Sequence, residues 1–183
     1  FAIFAQDKDK NLPKGNEDYA SKEYAQAEAE YRISGSKNAK QSIAKYNLGN
    51  AIYRQNQYAE AKLSYENAIK ASTSRPEKHQ AFHNLGNVFM KEKDYTNAVE
   101  AYKNALRNNP SDEETRYNYA LAKKKFNRAL AQTRIKDMER HLRILRNQRD
   151  VLIESNNLTQ LEEIKKEAQV YEEEIKILTV NMN

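Results

Sequence analysis

Residues 46–69 read YNLGNAIYRQNQYAEAKLSYENAI, and the same pattern returns in residues 83–106 as HNLGNVFMKEKDYTNAVEAYKNAL. The two copies are offset by 37 residues, and the matched residues of the first copy are Leu48, Gly49, Tyr58, Ala61, Tyr65 and Ala68. A weaker copy lies 34 residues earlier, with Gly15, Tyr24, Ala27, Tyr31 and Ser34 at the corresponding positions. Three copies at a nearly constant period predict a repeat array.

Each copy has the pattern of a helix, a tight turn and a second helix. Small residues such as Gly49 and Ala61 allow the two helices to approach closely, and Tyr58 and Tyr65 lie seven residues apart on one helical face. This pattern resembles the tetratricopeptide repeat, whose motif the third copy carries in Leu85, Gly86, Phe89, Ala98, Tyr102, Ala105 and Pro110. The resemblance implies an all-α helical solenoid with a concave, partner-binding face.

The repeats and turn signals divide the chain into segments. We expect repeats at 8–41, 42–78 and 79–112, separated by the turn-rich residues 34–38 and 71–76. Ser111 and Glu114 have the spacing of a helix capping box. Residues 113–125 then begin like the first helix of a fourth repeat, but no second helix follows, so we expect them to form a capping helix.

The last third of the chain has a different helical pattern. Apolar residues recur at spacings of three and four through 126–154 and again through 158–180. Asn157 and Gln160 have the spacing to cap the second of these helices. We therefore expect residues 126–183 to form an antiparallel, coiled-coil-like hairpin, with self-association through it as one of its roles.

The formal net charge of +5 is concentrated in one segment. Residues 123–150 hold 10 basic and 3 acidic side chains, whereas residues from 158 onwards hold 6 acidic and 3 basic ones. The two arms of the hairpin can therefore pair with each other. The alternative is that the basic arm binds nucleic acid or an anionic surface, but residues 127–158 contain no aromatic side chain for base stacking. We favour pairing within the chain.

The first helix of each repeat would line the concave face. Paired asparagines lie three residues apart in two of these helices, and a carboxamide can both donate to and accept from a peptide backbone. The alternative is that these asparagines only join neighbouring helices. The predicted groove residues are Asn16, Tyr46, Asn47, Asn50, Arg54, His83, Asn84, Asn87, Lys91, Tyr117 and Asn118.

The family resemblance also indicates which ligand is not expected. Some members clamp a terminal carboxylate with basic residues in the first and third repeats. Leu12, Gln80 and Asn84 occupy those positions in this sequence. We therefore do not expect a chaperone-tail ligand, although Arg54 and Lys91 favour a ligand with some acidic character.

Catalysis and cofactor binding find little support in the sequence. There is no cysteine, no glycine-rich phosphate loop and no pattern typical of a catalytic triad or a carboxylate pair. His79 and His83 lie four residues apart on a predicted helix, but no further ligand accompanies them, so we predict no metal site. We expect a protein that is not an enzyme and needs no cofactor.

The order of segments carries a second resemblance. Residues 14–19 (KGNEDY), 46–51 (YNLGNA), 83–87 (HNLGN) and 109–118 (NPSDEETRYN) are similar to those of repeat proteins from the aerotolerance (Bat) operons of Bacteroidetes and spirochaetes. That resemblance, which stops near Lys125, implies an exported envelope protein that assembles with von Willebrand A-domain membrane proteins. Residues 1–7 have the look of a signal-peptide remnant. We expect the periplasm or cell envelope, with the cytoplasm as the alternative.

Overall fold

A computed structural model describes residues 9–37, 41–155 and 157–182 of the chain. Those residues form helices connected by short turns. The helices are α1 (Asn11–Ala20), α2 (Tyr24–Lys37), α3 (Ser42–Arg54), α4 (Tyr58–Ala71), α5 (Arg75–Lys91), α6 (Tyr95–Asn108), α7 (Glu113–Glu154) and α8 (Leu158–Asn181). The chain divides into two compact units, residues up to Lys123 and residues from Lys124 onwards.

The first unit is a helical solenoid of three repeats. Within the repeats α1 packs on α2, α3 on α4 and α5 on α6, and consecutive repeats meet through α2 with α3 and α4 with α5. The odd-numbered helices also contact one another, α1 with α3 and α3 with α5. They therefore form a shared inner layer. This arrangement confirms the predicted solenoid.

A buried tyrosine joins the two helices of every repeat. A Cβ atom added to Gly15, Gly49 or Gly86 would lie 2.7, 2.7 or 2.6 Å from the ring of Tyr31, Tyr65 or Tyr102, respectively. Those tyrosines are at most 2% exposed. Each glycine is needed because only a residue without a side chain leaves room for the ring.

The turn inside each repeat contains one residue with a left-handed backbone. These residues are Lys22, Asn56 and Lys93, with φ angles of 65°, 62° and 61°. They lie at equivalent positions of the three repeats. The similar φ angles show that the three turns are built alike, although a non-glycine residue is strained there by about 1 kcal/mol.

Several boundaries differ from the sequence-based expectation. Residues 34–37 belong to α2 rather than to a turn, because Ser34 is fully buried and donates its hydroxyl hydrogen to Asp9. Helix α5 begins at Arg75, so the expected start of repeat three at residue 79 lies inside it; Pro76 fits the first turn of this helix.

The start of α7 also differs from the expected capping box at Ser111. The carboxylate of Asp112 accepts from the backbone N–H of Glu114, and its backbone oxygen accepts from that of Arg116. Asp112 therefore caps this helix. The expected capping helix at 113–125 is not a separate element, because α7 continues without a break to Glu154.

The repeat array ends where the glycine and asparagine positions change. Ala120 and Leu121 stand where the previous repeat has Gly86 and Asn87. The side chain of Ala120 would meet a tyrosine packed as in the three repeats. The first turns of α7 instead close the third repeat with Ala122, which is fully buried in a cluster with Ala98 and Tyr102.

The second unit is a helical hairpin formed by the remainder of α7 and by α8. Met138, Leu142, Leu145 and Leu161 are buried between the two helices. Asn157 caps α8 by accepting from the backbone N–H of Gln160 at 3.3 Å, as the sequence predicts. Within the described residues, no helix is both long enough and apolar enough to cross a lipid bilayer.

Candidate functional site

The predicted groove residues lie on the inner layer of α1, α3, α5 and the first turns of α7, a surface we call the inner groove. None of the eleven is buried: Asn16, Arg54, Lys91 and Tyr117 are exposed, and the other seven are partly exposed. The inner groove is therefore open to solvent rather than sealed inside the solenoid.

One asparagine of each repeat accepts a hydrogen bond from the buried tyrosine of the same repeat. The hydroxyl groups of Tyr31, Tyr65 and Tyr102 donate to Oδ1 of Asn16, Asn50 and Asn87 at 2.9, 2.8 and 2.7 Å. Burial raises the pKa of Tyr31 to about 12, and it raises the pKa values of Tyr65 and Tyr102 as well. The hydroxyl groups stay protonated and remain donors at physiological pH.

The next repeat supplies a second donor to the same oxygen atoms. Asn47 Nδ2 donates to Asn16 Oδ1 at 3.0 Å, and Asn84 Nδ2 donates to Asn50 Oδ1 at 2.9 Å and to the hydroxyl of Tyr46 at 3.0 Å. A carbonyl oxygen accepts two hydrogen bonds. The side-chain oxygens of Asn16 and Asn50 are therefore fully used in joining helices.

The amide nitrogens of Asn16 and Asn50 have a different environment. Among the described residues, neither Nδ2 atom takes part in a hydrogen bond, and no buried side-chain nitrogen or oxygen lacks a partner. Both NH₂ groups therefore reach solvent. The sequence left two roles open for these asparagines, and the structure divides them between two atoms: the oxygen joins helices and the nitrogen remains available as a donor.

Asn87 is placed similarly at the other end of the groove. Its oxygen accepts from Tyr102, and its Nδ2 atom lies 3.4 Å from Asn84 Oδ1. That contact is long for a hydrogen bond, so the nitrogen of Asn87 is only weakly held.

Aromatic side chains that the sequence analysis missed border these amides. Two cavities of about 180 Å³ each lie along the groove, and both are lined by Tyr19 and Asn50. Tyr53 and Arg54 line the first of them, and Asn16 lines the second. Tyr19 and Tyr53 follow Asn16 and Asn50 by three residues, so the helical spacing that selected the asparagines could also have found them.

The cationic residues of the groove are exposed. Arg54 lies over the ring of Tyr24, 5.4 Å from its centroid, and its Nε atom donates to the Tyr24 hydroxyl at 3.2 Å. Lys91 at the end of α5 and Tyr117 on α7 are also exposed, whereas Asn118 is partly exposed. Arg54 has the best-defined position, because an aromatic ring supports it beside the cavity.

His83 contacts α7 rather than facing a ligand. Its Nδ1 atom lies 2.6 Å from Thr115 Oγ1, and its Nε2 atom lies 3.6 Å from a carboxylate oxygen of Glu114. The Thr115 hydroxyl donates to Asp112, so it must accept its hydrogen bond from His83 Nδ1. Burial lowers the pKa of His83, partly offset by the nearby carboxylates. His83 therefore helps to fix the start of α7.

His79 is also occupied by contacts within the chain. Its Nδ1 atom lies 3.1 Å from the backbone oxygen of Ala105, and its Nε2 atom lies 2.8 Å from Asp112. Within the part of the chain that the structure describes, no three histidine, aspartate or glutamate side chains are grouped in a way that could hold a metal ion. Both histidines are explained by packing between repeat three and α7.

The basic arm of the hairpin pairs with the acidic arm at several points. Arg134 forms an ion pair with Glu174, and Arg146 lies 3.6 Å from Glu172. His141 lies 3.5 Å from Glu167 and packs against the ring of Tyr171. These contacts support the pairing within the chain that we favoured over a nucleic-acid site.

A tetratricopeptide repeat family model matches residues 12–61 and 46–113, more than half of the chain. No curated protein sequence matches it.

Solved structures with the same fold cover the solenoid. The Sgt2 TPR domain from Aspergillus fumigatus is 25% identical over 66% of this chain and 80% of its own length, with a TM-score of 0.60. The second TPR domain of human RPAP3, in complex with an HSP70 peptide, is 18% identical over 62% and 92%, with a TM-score of 0.58. The Yersinia enterocolitica chaperone SycD, in complex with a peptide of YopD, is 14% identical over 67% and 97%, with a TM-score of 0.59.

The family match agrees with the packing of the three helix pairs, the tyrosine seated on a glycine in each pair, and the inner layer formed by the odd-numbered helices. The chain belongs to the tetratricopeptide repeat family.

Proposed function

We propose that this protein is a non-catalytic scaffold that binds an extended segment of another protein in the inner groove. The proposal rests on one observation: the side-chain oxygen and nitrogen of Asn50 have different environments. Its oxygen is held by Tyr65 and Asn84, whereas its NH₂ group reaches solvent beside a cavity lined by Tyr53 and Arg54. A donor held rigidly in an open groove is suited to a peptide backbone, since a bound peptide then loses little of the interaction to side-chain ordering.

The groove has a definite chemical preference. Free amide donors and the guanidinium of Arg54 attract oxygen atoms, and the rings of Tyr19 and Tyr53 offer apolar surface between them. The favoured ligand is an extended segment that presents backbone carbonyl groups, at least one carboxylate and an apolar side chain. The residues that clamp a terminal carboxylate in some family members are replaced here by Leu12, Gln80 and Asn84, so the segment need not be a chain terminus.

Peptide complexes among the similar structures support this function class. The human RPAP3 domain and Yersinia SycD are both described with bound peptides. Their identities of 18% and 14% carry the fold alone, so the choice of ligand here follows from this chain's own residues.

The cellular setting is a second part of the proposal. The similarity of residues 14–19, 46–51, 83–87 and 109–118 to Bat-operon repeat proteins supports an exported protein that assembles with von Willebrand A-domain membrane proteins and acts in aerotolerance. Residues 1–7, which begin with the apolar run FAIFA and lie outside the described part of the chain, are the sequence support for export. Fractionation of the native cells tests this setting, and recovery of the protein solely from the cytoplasm would overturn it.

An aspartate substitution separates the two roles of Asn50. Asn50→Asp keeps an oxygen that accepts from Tyr65 and Asn84, but it replaces the free NH₂ group by a second oxygen. The double variant Asn50→Asp with Asn87→Asp should keep the wild-type helix content. It should reduce partner recovery from native envelopes about tenfold or more, because donors become acceptors facing a carbonyl-rich ligand.

The control is Asn67→Asp on α4, which makes the same amide-to-carboxylate change at one position outside the inner layer. We expect this variant to recover the partner as the wild type does. Equal recovery by all three proteins would overturn the proposed use of the inner groove.

A further inference from the structure

The two helices of the hairpin present two different faces to solvent. Arg134 and His141 lie seven residues apart on α7 and contact Glu174 and Glu167, which are seven apart on α8. These contacts mark one edge of the buried seam. The pair of Arg146 with Glu172 lies on the other edge, because residue 146 is five positions after His141 and falls across the seam.

Exposed apolar side chains follow the first of these edges on both helices. Ile144 and Val170 come three residues after His141 and Glu167, and Ile177 comes three after Glu174. On the same side of α7, Leu130 lies fourteen residues before Ile144 and Val151 lies seven residues after it. We call this set the apolar face: Leu130, Ile144, Val151, Val170 and Ile177.

The members of the apolar face are 48–64% exposed, so little of the chain covers them. A cavity of about 510 Å³ opens beside them near the turn of the hairpin, lined in part by Val151, Leu152 and Ile164. The opposite face is highly charged at the corresponding positions: Lys136, Arg143, Arg146, Asp150, Glu162, Lys165, Glu172 and Lys176. Ile153, Leu158 and Val180 are exposed elsewhere on the hairpin, but only the apolar face repeats along one edge on both helices, which is typical of an interaction surface.

The charge distribution points to the occupant. Residues 124–154 contain nine basic and four acidic side chains, and residues 158–181 contain six acidic and three basic ones. A surface with one basic and one acidic helix is complementary to a second copy of itself, provided that each α7 packs against the other α8. A twofold axis parallel to the two helices produces that arrangement.

The same axis also aligns one central pair of apolar side chains. His141 packs on Tyr171, so Ile144 and Val170 lie at about the same level along the hairpin. Leu130 is 14 residues from Ile144, whereas Ile177 is only seven from Val170, so Ile177 lies closer to the level of Asp137 than to that of Leu130. In the twofold arrangement, Ile144 of each copy meets Val170 of the other.

We propose that the apolar face is a homodimer interface in which two hairpins pack through a twofold axis parallel to their helices. The alternative twofold arrangement would place the two basic helices against each other, and like charges oppose it. The inference is independent of the proposed groove function, because its residues all lie in the second unit.

The test compares two exposed isoleucines of α7. Ile144 belongs to the apolar face and is 48% exposed, whereas Ile153 lies across the seam and is 56% exposed. Each full-length protein is studied by sedimentation velocity over a range of concentrations, and circular dichroism verifies that the helix content is retained. Both side chains are exposed in the monomer, so neither substitution removes a packed core residue.

We expect the wild type to be a dimer and its dissociation constant to rise about a hundredfold in Ile144→Glu. The twofold axis places the substitution at two equivalent sites, and each site weakens the affinity roughly tenfold. Val170→Glu should behave in the same way, and Ile153→Glu should dimerise as the wild type does. A monomeric wild type at about 100 μM, where an interface of micromolar affinity is largely occupied, would overturn the proposal. So would a dimer that Ile144→Glu leaves intact or that Ile153→Glu weakens equally. Partner recovery through the inner groove should be unchanged in Ile144→Glu.

Discussion

Gly49 and Tyr65 are in such close contact that a Cβ atom on Gly49 would lie 2.7 Å from Cε1 of the tyrosine ring. Tyr65 is 1% exposed, and its hydroxyl holds Asn50, the residue next to the glycine. The contact that closes the helix pair therefore also positions the amide of the inner groove. Tyr65 therefore contacts two adjacent residues, Gly49 for packing and Asn50 for the candidate binding site.

Substituting alanine at two glycines should change stability in opposite directions. Gly49→Ala forces the buried ring of Tyr65 to shift, and overpacking of this kind costs about 1–3 kcal/mol, more than the roughly 1 kcal/mol gained in helix propensity. Gly35→Ala in α2 meets nothing within 4 Å and should stabilise by up to about 1 kcal/mol. Thermal unfolding followed by circular dichroism measures both. A Gly49→Ala protein that melts at or above the wild-type temperature would contradict the packing described.

The left-handed turn at Lys93 predicts a stabilising glycine. Lys93 has a φ angle of 61°, so Lys93→Gly should relieve strain and raise the free energy of unfolding by up to about 1 kcal/mol. Lys103→Gly, inside α6, should lower it by about 1 kcal/mol. Denaturant unfolding of the two variants gives the comparison. Two changes of the same sign would show that the turn geometry is wrong.

Because His83 is partly buried, we predict that the protein loses stability in acid. Its pKa is lowered in the folded protein, so the unfolded chain binds a proton more readily. The stabilising contribution of neutral His83 is complete above the unfolded pKa of about 6.5, and it decreases as the pH falls from there through the folded pKa. His83→Gln should therefore reduce the slope of unfolding free energy against pH below about pH 6.5.

Asp112, close to His83, is a second group whose titration changes the stability in acid. The hydrogen bond from Thr115 is the largest cause that lowers the pKa of Asp112. Its contribution is present above the unfolded value of 3.8 and decreases as the pH falls through the folded pKa, so it acts in a separate and more acidic range. An unaltered slope below pH 6.5 in His83→Gln would mean that this histidine does not supply the effect.

Much of the solenoid could be predicted because its determinants are local and repeated. The spacing of Gly49 and Tyr65, found again in Gly86 and Tyr102, identifies the helix pairs without any long-range information. Boundaries were harder, because the burial of Ser34 and the cap at Asp112 depend on partners elsewhere in the fold. Ser34 in particular lies in a run of residues typical of a turn, but it is buried like a core residue.

The candidate site could be predicted only at the level of which helix face it occupies. Sequence spacing placed Asn50 and Asn87 in the inner groove, yet it could not say that their oxygens accept from Tyr65 and Tyr102. It also selected His83, whose ring nitrogens both face residues of α7. Whether a polar side chain serves the fold or a ligand depends on which of its atoms already have partners, and those partners come from other helices that sequence spacing does not identify.

The most direct test of the central claim is photo-crosslinking in native cells from a benzoylphenylalanine placed at Arg54, which lines the groove cavity. The control carries the same group at Leu63 of α4, which is 55% exposed and outside the inner layer. We predict crosslinks from position 54 to one defined segment of a partner, lost when Asn50→Asp and Asn87→Asp are added, and none to that segment from position 63. Crosslinks of equal yield from the two positions, or from position 63 alone, would contradict a partner bound in the inner groove.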